Sequence, residues 1–227
     1  MTQGYEINDL AKEESWRMFR IIGELVEGFD SLSGVEPAVS IYGSARIRPD
    51  DELYKQTEEI AQRLGEMGFS IITGGGPGVM EAANRGALKA GVASVGLNIQ
   101  LPEEQAPNVY TTQSITFRHF FVRKVMLVKY ATAFIMMPGG LGTLDELTEI
   151  LTLMQTHKIR PFPVVLFNSN YWKGFLDWLN ISVLAGGFIS EEDFSLLRVC
   201  DETDAVIETV REWYEKQKVV GRKALSR

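Results

Sequence analysis

The chain has 227 residues, 45% of them hydrophobic and 23% charged, enough apolar material for a sizeable core in an ordinary globular protein. Its net charge of −7 argues against a nonspecific nucleic-acid binder. The single cysteine, Cys200, forbids an internal disulfide, the start Met1 to Asp9 lacks the basic and apolar regions of a signal peptide, no run is long enough to span a membrane, and two histidines without a Cys/His cluster leave no metal site to expect.

These features together predict a cytoplasmic protein. From about Leu10 to Phe29, Trp16, Phe19, Ile22, Leu25, Val26 and Phe29 recur at helical spacing. They predict a leading amphipathic helix that packs on the core or on a partner. Val39 to Tyr42 reads as the first strand, with Gly43-Ser44-Ala45-Arg46 as the loop at its carboxyl end. A helix is predicted from Glu52 to Met67, a strand from Phe69 to Thr73, and a helix from Val79 to Ala90. Ala93 to Asn98 reads as a strand and Leu101 to Gln113 as a loop. A helix from His119 to Tyr130, a strand from Ala131 to Met137 and a helix from Leu144 to Met154 follow. Pro163 to Phe167 is a further strand. Tyr171 to Leu184 and Asp204 to Gln217 are helices, with an apolar segment, Leu196 to Cys200, between them. The basic tail from Lys216 is expected to fray. Residues 1–227 read as one unit with an added N-terminal helix and a C-terminal helical extension.

Strands alternate with helices, and most strands are continuous apolar runs. That pattern predicts a parallel sheet covered on both faces. Ligands then bind beyond the carboxyl ends of the strands, near the point where strand order reverses. Two strand-to-helix turns are rich in glycine: Gly74-Gly75-Gly76-Pro77-Gly78 and Pro138-Gly139-Gly140-Leu141-Gly142-Thr143. Such turns aim bare backbone N–H groups, with a helix dipole behind them, at a guest above the strand end. A phosphate suits that geometry. Gly-rich turns are also simply how α/β proteins turn, so one alone says little. Neither is a P-loop, because no Gly-Lys-Ser/Thr follows, and neither fits GxGxxG well.

Other residues carry candidate chemistry. Glu146 reads as lying in the first turn of its helix, where a negative charge also complements the dipole. Thr143 reads as a helix N-cap. Arg123 and Lys124 sit on the helix before the 131–137 strand, and the bland reading is a solvated basic pair. No Ser/His/Asp arrangement is readable around Ser44, whose hydroxyl suits a cap or a phosphate contact. Thr152 is six residues beyond Glu146 and is not paired with it by helical periodicity.

The motifs Gly74-Gly-Gly-Pro-Gly-Val-Met80, Arg123-Lys124 and Pro138-Gly-Gly-Leu-Gly-Thr-Leu-Asp-Glu146, in this order, resemble the Lonely Guy (LOG) family. The resemblance covers roughly Val39 to Val165. It implies a Rossmann-like doubly wound parallel sheet with helices on both faces. It also implies a phosphoribohydrolase acting on nucleoside 5′-monophosphates such as cytokinin riboside monophosphates, with no cofactor and no metal, working as a homodimer or higher even assembly. By resemblance the catalytic positions fall on Arg123 and Glu146. Substrate and phosphate contacts fall on Ser44, Gly75, Gly76, Gly78, Glu104, Lys124, Gly139, Gly140, Leu141, Gly142, Thr143 and Thr152.

The match has departures. Plant-like members read Met-His-Glu-Arg-Lys before the catalytic strand, where this chain has Phe120-Phe-Val-Arg-Lys124. After Thr152 they carry Trp-Ala-Gln-Leu-Gly-Ile-His, where this chain has Leu153-Met-Gln-Thr-His-Lys-Ile159. Both segments lie near the base in the family, so a prenylated adenine is not implied by the residues here. The lysine decarboxylase label once attached to the family would require pyridoxal phosphate on a lysine with an acid partner for the ring nitrogen, and no lysine stands out for it. A non-catalytic nucleotide-binding or molybdenum-cofactor-carrier-like protein is the rival reading.

Overall fold

The computed structural model describes residues 14–101 and 106–225. Seven strands form one parallel sheet: β1 (Ala38–Tyr42), β2 (Ser70–Thr73), β3 (Ser94–Ile99), β4 (Gln113–Phe117), β5 (Ala131–Met136), β6 (Val164–Phe167) and β7 (Leu197–Cys200). Their order is β4-β3-β2-β1-β5-β6-β7. In register, Val39 pairs with Ile71 on β2, and Ile41 with Ile135 on β5. Every residue of β1 and β6 is buried, as a parallel sheet covered on both faces requires.

The helices divide between the faces. On one side α1 (Glu14–Ser31), α4 (Phe120–Lys129), α5 (Leu141–Gln155) and α6 (Ser169–Trp178) enclose a core that includes Leu32, Phe134, Leu147 and Trp172. On the other, α2 (Glu52–Glu66), α3 (Val79–Ala90) and α8 (Thr203–Leu225) cover Val39, Ile41, Ile135 and Val165. A short α7 (Glu191–Phe194) opens with a capping box between Ser190 and Asp193.

The structure corrects several expectations. The segment read as a loop up to Gln113 is followed by β4, whose residues alternate between outward and buried positions. It is an edge strand with one open face, so it lacks the continuous apolar run of the inner strands. The segment Leu197–Cys200 is the other edge strand. Helix α6 ends at Trp178, and residues Leu179–Leu184 continue as π-helical turns. Helix α8 runs on to Leu225 rather than fraying from Lys216. Helix α5 begins at Leu141, with Gly140 at its N-cap. Glu146 is therefore in the second turn, Thr143 lies inside the helix, and the dipole-compensating and capping readings of these two residues fall. Residues Leu10 to Glu13 of the predicted leading helix, and Glu104, lie outside the described residues.

A buried polar network anchors the first glycine turn to the sheet. Thr73 Oγ1 donates to Asn84 Oδ1 at 2.6 Å and accepts from the Gly75 amide at 3.0 Å. Asn84 Nδ2 donates to Ser94 Oγ at 2.9 Å and to the Val95 carbonyl at 3.2 Å. Asn108 Nδ2 donates to Asn84 Oδ1 and to the Gly76 carbonyl, each at 3.0 Å. Asn84, fully buried, thus serves four neighbours at once, Thr73, Ser94, Val95 and Asn108. Removing it leaves several buried polar groups unpaired, each at about 1–3 kcal/mol. Asn84→Ala is expected to lower stability by about 2–4 kcal/mol in urea unfolding. A loss below about 1 kcal/mol would show that water replaces the side chain.

Candidate active site

Strand order reverses between β1 and β5, and the crevice beyond their carboxyl ends is where such sheets bind ligands. Three loops meet there. The Ser44 amide donates to the Pro138 carbonyl at 3.0 Å, and the Ser44 carbonyl accepts from the Val79 amide at 3.0 Å. The loop after β1 is thereby bonded to both glycine turns. Gly78 has φ of +69°, and a Cβ there would collide with the Ser44 carbonyl oxygen. Only glycine serves at that position. The Ser44 hydroxyl accepts from the Arg46 amide at 3.1 Å, tightening its own loop. Across the crevice the Tyr171 hydroxyl donates to the Gly139 carbonyl.

Gly75 and Gly76 lie in the first turn, and Gly139 and Gly140 lead into α5. The amides of Leu141 and Gly142 fall among the opening residues of α5, which have no intrahelical acceptor. Thr143 is buried in that first turn, whereas the Leu141 side chain is 85% exposed.

Arg123 projects from the opening turns of α4 onto the first glycine turn. Its Nε donates to the Leu97 carbonyl at 2.7 Å. A Cβ on Gly74 would strike its guanidinium and the Met80 sulfur, so the absence of a side chain at Gly74 makes the room Arg123 occupies. The start of α4 is itself fixed by α1. One Glu24 carboxylate oxygen accepts from the His119 amide at 3.2 Å and the Arg118 amide at 3.3 Å, and the other lies 3.1 Å from His119 Nδ1. That is an N-terminal cap supplied from a different helix.

Glu146 is only 7% exposed, and its Oε2 is buried without a hydrogen-bond partner. Its pKa is pushed up to about 7. Burial is the largest cause. Lys124 and Arg123 oppose it, and the nearby charges of Glu149 and Asp145 reinforce it. Lys124 does not neutralise Glu146, because its Nζ sits 2.9 Å from Asp145 Oδ2 and 3.1 Å from Glu149 Oε2. The Asp145 contact is a hydrogen bond, and the Glu149 contact is a plain ion pair. Burial lowers the Lys124 pKa, but the two carboxylates more than compensate and the net shift is upward. Burial lowers the Arg123 pKa against the pull of Glu146. Tyr42, buried at the end of β1, has its pKa raised well above the usual value, first by burial and next by the charge of Glu146.

The sequence-predicted residues therefore fall into three groups. Ser44, Gly75, Gly76, Gly78, Gly139, Gly140, Leu141, Gly142 and Thr143 line the junction of the loops, with Arg123, Lys124 and Glu146 beside it. Thr152 is exposed farther along α5, with its hydroxyl donating to the Thr148 carbonyl at 2.8 Å. Glu104 is not described. Sequence reasoning missed Tyr42, Asp145, Glu149, Asn84 and Asn108. Spacing held a signal for one of them: Glu149 lies three residues past Glu146, on the same helix face.

Comparison with known proteins places these features in context. A family model described as "possible lysine decarboxylase" matches residues 80–210. The chain is 31% identical over 140 residues to cytokinin riboside 5′-monophosphate phosphoribohydrolase LOG of Oryza sativa subsp. japonica, covering 59% of this chain and 56% of that one. The match therefore spans little more than half of the rice protein. A protein of Rhodococcoides fascians named cytokinin riboside 5′-monophosphate phosphoribohydrolase is 27% identical over 161 residues, covering 68% of this chain and 79% of its own length. Among solved structures, the molybdenum cofactor binding protein of Rippkaea orientalis superposes with a TM-score of 0.55 at 22% identity, over 77% of this chain and 94% of its own. The Moco carrier protein of Chlamydomonas reinhardtii gives 0.57 at 21%, over 79% and 98%. These two establish the shared fold.

The raised pKa of Glu146 makes stability depend on pH with a defined sign. Below about pH 4.5 the carboxyl is protonated in the folded and unfolded chains alike. Between about 4.5 and 7 the unfolded chain ionises first, so stability falls as pH rises, and above about 7 the loss is constant. A rise from 4.5 to about 7 corresponds to about 3 kcal/mol. Glu146→Gln is expected to gain about that much stability over the parent between pH 4.5 and pH 8, read by urea unfolding without ligand. A difference that stays flat across this range would show that Glu146 titrates normally.

Proposed function

Because the chain belongs to the Lonely Guy (LOG) family, whose model is described as "possible lysine decarboxylase", we propose that it hydrolyses the N-glycosidic bond of a nucleoside 5′-monophosphate. AMP or an N6-modified AMP is the substrate, and the products are the free base and ribose 5-phosphate. The observation that carries this reading is Glu146: a buried carboxyl with an unpartnered oxygen and a pKa of about 7, next to Arg123 where two glycine turns meet.

The residues divide the work as follows. The backbone N–H groups of Gly76, Gly78 and Gly139–Gly142 receive the 5′-phosphate, with the dipole of α5 behind the second set. Binding energy from this remote group holds the ribose against Glu146. Arg123, kept in place by Leu97 and Gly74, supplies a fixed cation near phosphate and sugar. As the C1′–N bond breaks, the sugar takes on oxocarbenium character, which the Glu146 carboxylate stabilises. The same carboxylate orients the attacking water and accepts its proton, and a pKa near 7 suits that exchange. Lys124 is a positioning residue, clamped by Asp145 and Glu149. Glu104 and Thr152 contribute contacts by family resemblance, and the working form is a homodimer or higher even assembly.

The decarboxylase name attached to the family points to different chemistry, and the residues do not fit it. A lysine that forms a Schiff base with pyridoxal phosphate needs an accessible neutral amine. Lys124, the lysine at this site, has its ammonium between two carboxylates and its pKa raised. The rival carrier-like reading leaves the unpartnered Glu146 oxygen without a task.

Purified protein is expected to release adenine from AMP far faster than from adenosine, because only AMP carries the anchoring phosphate. Equal rates would sink the assignment of the loops. Glu146→Gln is expected to retain AMP binding by calorimetry while losing ~10²-fold or more of turnover. Arg123→Ala is expected to lose both. The parent's kcat/KM should rise with pH through about 7, and the Glu146→Gln variant should lack that limb. A Glu146→Gln variant that turned over like the parent would move the carrier-like reading ahead.

A further inference from the structure

Helix α1 has two apolar faces, and the described residues pack against one. Ile21, Leu25 and Leu32 pack into the core, and Gly28 abuts Met126 of α4. The other face carries Trp16, Phe19, Ile22, Val26 and Phe29, all exposed, with Phe19 at 66% and Val26 at 60%. A surface helix normally shows one apolar stripe, and a contiguous exposed stripe marks an interaction site.

Two details identify the partner. The first is symmetry. About the midpoint between Ile22 and Gly23 the positions of the stripe are symmetric, although the residues differ: position 16 (Trp16) mirrors 29 (Phe29), 19 (Phe19) mirrors 26 (Val26), and 22 (Ile22) mirrors 23 (Gly23). A two-fold interface uses one patch on both copies and must be self-complementary. An antiparallel pair of α1 helices meets that condition, with each Ile22 entering the gap left by Gly23 of the other copy. The second is Gly23 itself. Glycine is a poor choice in mid-helix, and among the described residues nothing lies within 4 Å of the position its Cβ would take. A second body approaching the helix backbone gains from the missing side chain.

Charge favours the same arrangement. Between Trp16 and Asp30 the first half of the helix carries Arg17 and Arg20, and the second half carries the exposed Glu27 and Asp30. Antiparallel pairing sets basic halves against acidic halves, and parallel pairing sets like against like.

We propose that two copies of this chain associate through an antiparallel pairing of α1 with α1, centred on Ile22 and Gly23. The proposal rests on the reading of the protein as an even homo-oligomer, and it adds where the copies meet. Because α1 also caps α4 through Glu24, the pairing sits directly behind the helix that carries Arg123.

The test is light scattering of the full chain at micromolar concentration, with melting curves to check the fold. The parent should have twice the 25.4 kDa chain mass, or an even multiple of it. Phe19→Lys and Val26→Glu should each weaken association by about tenfold or more, since both positions are exposed and each variant keeps its fold. The double variant should recover association that salt weakens, because in the antiparallel pairing each new lysine faces a new glutamate. Gly23→Gln should raise the melting temperature through helix propensity and still weaken association. If the parent is an even oligomer and the single variants leave it intact, the α1 interface is overturned while the even assembly stands. A double variant as dissociated as the single ones overturns the antiparallel register. A monomeric parent overturns both readings.

Discussion

The arrangement at the carboxyl edge of the sheet depends on the backbone of Ser44, whose amide reaches Pro138 and whose carbonyl receives Val79. Two such bonds contribute only about 1–3 kcal/mol together, so their weight is geometric rather than energetic. They set the loop after β1 between two glycine turns that are far apart in sequence. Gly78 tolerates this approach because it has no side chain and adopts a positive φ. The network around Asn84 holds the first turn from behind. The junction is thus tied by hydrogen bonds on both sides, an arrangement suited to positioning a ligand.

Within that frame, electrostatics is a contest between desolvation and attraction. Glu146 has two cations near it, yet its pKa rises. Lys124 is engaged by Asp145 and Glu149, and Arg123 is anchored by the Leu97 carbonyl. Neither delivers a full pairing, and burial wins. The result is a carboxyl that gives up or takes a proton near neutral pH, at a cost in stability. Such a concession marks Glu146 as a candidate functional residue.

Helix α1 links the site to the surface. Its Glu24 satisfies the exposed amides at the start of α4, and α4 presents Arg123 to the first glycine turn. Its inner residues add apolar burial to the core, whereas its outer residues stay open. One helix therefore carries a cap, a core face and an exposed apolar face.

The inner strands and the two glycine turns were legible in the sequence because each is a local pattern: an unbroken apolar run, or glycines between a strand and a helix. The motif order carried Arg123 and Glu146 as well. The edge strand β4 was not legible, since a strand open on one face has no such run. The start of α5 was misplaced because Thr143 is a good cap by type, and only the backbone shows that Gly140 takes that position. Tyr42 and Asn84 gave no sign, because a lone tyrosine at a strand end or an asparagine in a helix gains meaning only from what surrounds it. The sequence by itself determined the parallel α/β sheet and the two glycine turns, and it singled out Arg123 and Glu146 as candidates. Tertiary structure decided the junction at Ser44, the clamp on Lys124 and the raised pKa of Glu146. Burial and charge are sums over neighbours that chain order does not reveal.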